Sequence, residues 1–342
     1  MSTLAPSRPL HLRVVRRSVI CVTVVLVLTA ALLALQLTTG DFPVTPSRVL
    51  ATLGGHGTAG EEFIIYTLRL PRALTAVLTG AAFGASGAVY QSLTRNALGS
   101  PDIIGFTYGA SFAAVLAIVV FGESDVVVTV AALVGGLVVA VLVYLLSYRG
   151  GVSGYRLILV GIGISSILAS FISYLLKKAD RYSAEEAYIW LTGSLNGRTW
   201  TDVQIALVGL LVLGPVLVSL GPGLRMSEMG DDAARAMGVD VNRNRLCALG
   251  FGAALCAVAV VCAGPITFVA LAAPQIARRL TGTPTVRVIP AMAVGALLML
   301  LSDTIAQKLF PSDQLPVGVV TLALGGAYLA WLIAREGRSR VG

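Results

Sequence analysis

The chain has 342 residues, 56% of them hydrophobic and 12% charged, with a mean hydropathy of +0.86 and a formal net charge of +8. A soluble domain carries about 25% charged residues, so this composition excludes a soluble globular protein and describes a polytopic membrane protein. The positive charge does not mark a nucleic-acid binder, because the basic residues punctuate apolar spans instead of forming one face.

Residues 1–17 are polar and basic, and an uncharged run, 18–40, follows. That run is longer than the apolar core of a cleaved signal peptide, about 7–15 residues, and predicts a retained first span. Residues 41–66 are rich in turn formers and predict an outside loop carrying a short helix. Further spans are predicted at 73–93, 103–121, 126–146, 157–176, 203–220, 246–263, 265–279, 288–306 and 315–334. At about 1.5 Å per residue, 265–279 cannot cross a core of about 30 Å alone and needs other helices around it. The polar, aromatic stretch 177–201 predicts a short interfacial helix.

Ten crossings place both termini on one side. Alternating the loops then puts seventeen of the 25 basic residues on that side, which predicts cytoplasmic termini in an inner-membrane protein. The expected organisation is a cytoplasmic segment 1–17, a transmembrane domain 18–334 with a cytoplasmic loop at 221–245, and a tail 335–342. Gly80 and Gly84 form a small-xxx-small pattern suited to close helix approach.

The loop at 221–245 is long and self-structured, whereas ordinary connections run to about 4–6 residues. Asp231 is placed to cap a short helix, Asp232 to sit in its first turn, and Gly238 to end it. Met229, Ala233 and Met237 would share one face, suited to a groove on another protein. A second short helix is expected from Asp240, carrying Arg243 and Arg245.

Arg69-Leu-Pro-Arg72 lies at the predicted outer mouth of the second span. Two readings stand there: pairing with carboxylates of an external partner, or interfacial snorkelling. The segment 87–106 reads as a tight inside turn with structural glycines. No phosphate-binding G-x-x-x-x-G-K-[ST] loop is present, so ATP hydrolysis by that route is excluded. No span carries a central carboxylate or lysine, Asp303 near one end excepted, which argues against ion-coupled transport. The four cysteines have neither zinc nor redox spacing, and His11 and His56 lie far from carboxylate clusters, so no metal site is expected.

Several stretches together resemble the FecCD-type permeases: Arg69-Leu-Pro-Arg72, the Asn96/Gly99/Pro101 turn, Gly230-Asp-Asp-Ala-Ala-Arg-Ala-Met-Gly238, Gly264-x-Ile-x-Phe-Val and Leu315-Pro-Val-Gly-Val-Val-Thr321. The resemblance implies an all-α fold of about ten transmembrane helices. It also implies a partner permease subunit, two cytoplasmic ATPase subunits that use the ATP, and an external substrate-binding protein, with no cofactor bound directly. Carried over residue by residue, Met229, Gly230, Asp231, Asp232, Ala233, Arg235, Met237, Gly238, Arg243 and Arg245 become the element that couples to the ATPase. Arg69 and Arg72 become contacts for the binding protein, with Lys308 beside Gln307, where some relatives carry another external arginine. Ser194-Leu-Asn-Gly197, Met229-Gly-Asp-Asp232 and Leu324-Gly-Gly-Ala-Tyr-Leu329 are similar to the ferric-enterobactin branch, implying a ferric catecholate substrate and a second permease of different sequence. Cobalamin or haem import is the alternative within the family, and an ion-coupled secondary transporter the alternative outside it. Gln275 departs from the family pattern, which often has histidine there.

Overall fold

Inside a bilayer no water is available to satisfy backbone N–H and C=O groups, so long apolar runs close their hydrogen bonds internally as helices. The computed structural model, which describes residues 10–40, 42–122, 125–148, 154–309 and 315–339, is built of such helices. Terminal residues 1–9 and 340–342, and with them Arg8 and Arg340, lie outside the described residues, as does Arg149.

The first span is α1 (Leu10–Thr38), which begins within the basic segment. A short helix, α2 (Pro46–Leu53), follows in the expected loop. The second span, α3, runs from Ala59 to Thr94, starting earlier than the sequence suggests. Its first turns pass through a π-helical stretch, Phe63–Arg69, so Arg69-Leu-Pro-Arg72 lies within a continuous helix. Next come α4 (Phe106–Phe121), α5 (Asp125–Ser147), α6 (Gly154–Lys178) and the short α7 (Arg181–Thr192). After these stand α8 (Trp200–Glu228), the brief α9 (Asp231–Ala236), α10 (Val241–Ala263), α11 (Val269–Thr281), α12 (Val288–Leu309) and α13 (Val317–Ser339).

Seven of these helices are long and apolar enough to cross a membrane. With the shorter α4, α11 and α13 they account for the ten expected spans. The 13-residue α11 is nearly enclosed, against α3 and α12.

Position in the bundle explains composition. The best apolar window of α1 has a hydropathy of 2.8 and is only 17% buried, whereas that of α3 has 1.4 and is 83% buried. A helix facing lipid needs large apolar side chains, while one walled in by protein needs small ones. From Thr79 to Thr94 every residue of α3 is buried. Gly80 and Gly84 let α12 come close: a Cβ on Gly84 would lie 2.2 Å from the Ala291 carbonyl oxygen. Around α3 stand α8, α10, α11 and α12. The candidate site residues gather at its two ends.

Candidate functional site

At the Thr94 end, α8 stops at Glu228, and Gly230, with φ +123°, turns the chain into α9. Gly238, with φ +84°, ends α9 in the left-handed region, as its sequence position suggests. Two details differ from expectation. Asp231 is not the cap, since Gly230 occupies that position and Asp231 falls in the first turn. Nor does a separate short helix begin at Asp240. Its side chain accepts from the Arg243 backbone N–H at 3.0 Å and caps the long α10, to which Arg243 and Arg245 belong.

Asp231 is instead the centre of an ion-pair cluster. Arg245 of α10 donates to both its oxygens, at 2.7 and 2.9 Å, and Arg95 donates to one of them. Arg95 closes α3 in a left-handed conformation, φ +51°. Partial burial pushes the Asp231 carboxyl up, but the hydrogen bond and charge of Arg245, then those of Arg95, outweigh it and hold it below the ordinary carboxylate value. The cluster thus ties α9 to both α3 and α10. One turn back, Ser92 donates to Glu228 at 2.6 Å, joining α3 to α8. Gln91 donates to the Leu271 carbonyl at 2.9 Å and accepts from Gln275, joining α3 to α11.

The other face of α9 is free. Met229 is 76% exposed and Met237 49%, and Asp232, Ala233, Arg235 and Gly238 are exposed with them, while Ala234 is fully buried. Met229 precedes the six-residue helix and Met237 follows it, so the apolar face is presented by the helix and its two flanks. Arg235 pairs with Asp232 within α9 at 3.1 Å, and Arg243 is exposed. The result is an exposed knob with an anchored root.

At the opposite end, Arg69, Arg72 and Lys308 line one cavity of about 400 Å³, together with Gln36, Arg198 and Gln307. Arg69 donates to the carbonyls of Leu37 at 2.7 Å and Phe42 at 2.6 Å, stapling the segment after α1 to α3. Arg72 reaches across to α12 and pairs with Asp303 at 2.8 Å. Asp303 is fully buried and also accepts from Gln36 and Gln307, each at 2.7 Å. The two arginines therefore hold internal partners, and Lys308 is the exposed cation of the three. Sequence reasoning missed this carboxylate's role. Asp303 stood out as a lone acid in a span, but nothing local links it to an arginine 231 positions away.

The match to the FecCD transport family model runs over residues 26–335, most of the chain and all the spans that carry these features. The chain belongs to the FecCD transport family. A FecCD protein is a membrane-embedded transport component of an ABC importer, and ATP hydrolysis resides in separate subunits. Among relatives of this FecCD chain, the ferric enterobactin transport system permease protein FepG of Escherichia coli is 44% identical over 306 residues, 89% of this chain and 92% of the relative. A siderophore transport system permease protein, YfhA of Bacillus subtilis, is 38% identical, covering 92% of this chain and 94% of its own. A solved metal-chelate type ABC transporter in an inward-facing conformation shares the fold at a TM-score of 0.83 and 28% identity, over 92% of this chain and 98% of the other.

Proposed function

We propose that this FecCD chain is one permease of an importer that carries a ferric siderophore, of the catecholate type handled by enterobactin systems, across the cytoplasmic membrane. The 44% identity to the enterobactin permease supports that substrate class. In this reading both termini and α9 are cytoplasmic, α9 seats in a cleft of an ATPase subunit, and the second permease is a different chain. The observation that carries the reading is the anchored knob: an exposed apolar face on α9 whose root is ion-paired to the end of the most enclosed helix. A push on Met229, Ala233 and Met237 is transmitted through Asp231 to Arg95 and Arg245, and so to α3 and α10. The chain needs no charge change of its own for this.

The Arg69, Arg72 and Lys308 cavity is the proposed contact for carboxylates of the external binding protein. Lys308 supplies exposed charge there, and the internally bonded arginines shape the rim. Ala233→Trp tests the coupling reading: ATPase co-purification and ferric catecholate uptake should both be lost while the chain still inserts. Normal assembly of that variant with its ATPase would overturn the reading. Lys308→Glu should weaken binding-protein docking and leave ATPase assembly intact.

A further inference from the structure

On the flank of the bundle, at the α9 end, a groove of about 500 Å³ opens between α1, α8 and the start of α12. Its walls are apolar, with Val19, Val218 and Ile289 among them, and Ser18 adds a hydroxyl. Two guanidinium groups stand in the same groove: Arg225, in the last turn of α8, and Arg287, immediately before α12. They repel each other. Among the described residues neither makes a side-chain hydrogen bond or an ion pair, and Arg287 Nε is buried with no partner. Among the described residues the carboxylate that acts on Arg225 is that of Glu228, which Ser92 already engages.

Two like charges lining one groove, one with a buried donor left unsatisfied, are unfavourable unless an anion joins them. The apolar walls identify what kind of anion. The helices bordering the groove are lipid-facing in character: the best windows of α1 and α8 are only 17% and 22% buried and consist largely of Val, Leu and Ala. A small soluble ion would gain nothing from Val19, Val218 and Ile289, whereas an amphiphile with an anionic head fits both parts of the site. Basic pockets between spans near the membrane surface suit such head groups.

We infer that this groove is a binding site for an anionic glycerophospholipid, whose phosphate bridges Arg225 and Arg287 and whose acyl chain lies along α1 and α8. Under the topology proposed above, the lipid belongs to the cytoplasmic leaflet. It sits beside the turn from α8 into α9, so it braces the root of the coupling element without touching its exposed face.

The test uses the full chain assembled with its partner subunits in phosphatidylcholine nanodiscs, titrated with phosphatidylglycerol and read by native mass spectrometry. The wild-type assembly should retain phosphatidylglycerol over phosphatidylcholine. Arg225→Gln with Arg287→Gln should weaken retention about 30-fold, from about one basic contact's worth per arginine. The double lysine variant should keep most of it, which separates loss of charge from failure to fold. Equal retention of the two lipids by the wild type would overturn the inference, as would unchanged retention in the glutamine variant. Displacement of the lipid by millimolar inorganic phosphate would show a free-anion site instead. Loss of the ATPase subunits from the glutamine variant, with lipid retention intact, would assign the arginines to a protein contact.

Discussion

Arg72 and Asp303 form a charge pair that is almost wholly withdrawn from solvent, at 11% and 0% side-chain exposure. Removing one partner of such a pair leaves an uncompensated buried charge. Asp303→Ala should therefore destabilise the fold by about 3–5 kcal/mol, seen as a lowered unfolding midpoint in detergent. The double replacement Arg72→Met with Asp303→Leu should recover most of that loss, because no charge then remains buried. Asp231 behaves differently, being about one-third exposed. Its folded-state value is depressed, so its pairing stabilises the α9 root at any pH above the ordinary carboxylate value of about 3.9, and that contribution is lost as pH falls through the lower folded value. Amide protection over 231–238, corrected for the intrinsic pH dependence of exchange, should hence be flat from neutral pH down to about 4 and fall only below it. Asp231→Asn should show the reduced protection already at neutral pH.

The contact between α3 and α12 depends on missing side chains. A Cβ on Gly295 would come within 2.2 Å of the Gly80 carbonyl oxygen, and one on Gly84 equally near that of Ala291. Packed backbone cannot yield cheaply, so Gly84→Ala should cost about 1–3 kcal/mol in unfolding measurements. Gly326→Ala, at an exposed position of α13 with no atom near its added carbon, should be neutral. This close approach is legible in sequence, since the glycine spacing of α3 announces it. So are the spans, because uncharged runs of this length have one backbone solution in lipid. The start of α3 is not legible: Phe63–Arg69 carries polar and aromatic residues, and a proline at Pro71 reads as a helix beginning. In the fold Pro71 sits inside a helix whose π-helical turn has already rearranged the preceding hydrogen bonds.

Across the whole molecule, the proposed mechanism has force entering at one end of α3 and the external mouth at the other. That division follows from the charge pattern of the chain, but the wiring does not. Asp231 looks like a helix cap in sequence because its partners, Arg95 and Arg245, come from two other spans. The exposed half of the proposed coupling site could be read from Met229, Ala233 and Met237, and the anchored half required the fold. Because the chain supplies motion but no energy source, uptake by the assembled importer should stop on ATP depletion. It should persist when an uncoupler collapses the proton gradient with ATP held constant. The reverse result, in whole-cell uptake of a labelled ferric catecholate, would remove the case for an ABC importer permease.

Gln91 and Gln275 are each 3% exposed and meet between α3 and α11, close behind the surface proposed to face the ATPase. Neither amide gains or loses a proton near neutrality. A histidine at position 275 would change charge between about pH 5 and 8, and the junction of the two helices would stiffen or slacken with the acidity at that end of the bundle. With an amide there, the two side chains that make the contact offer no titrating group, and their own hydrogen bond is the same in mild acid as at neutrality.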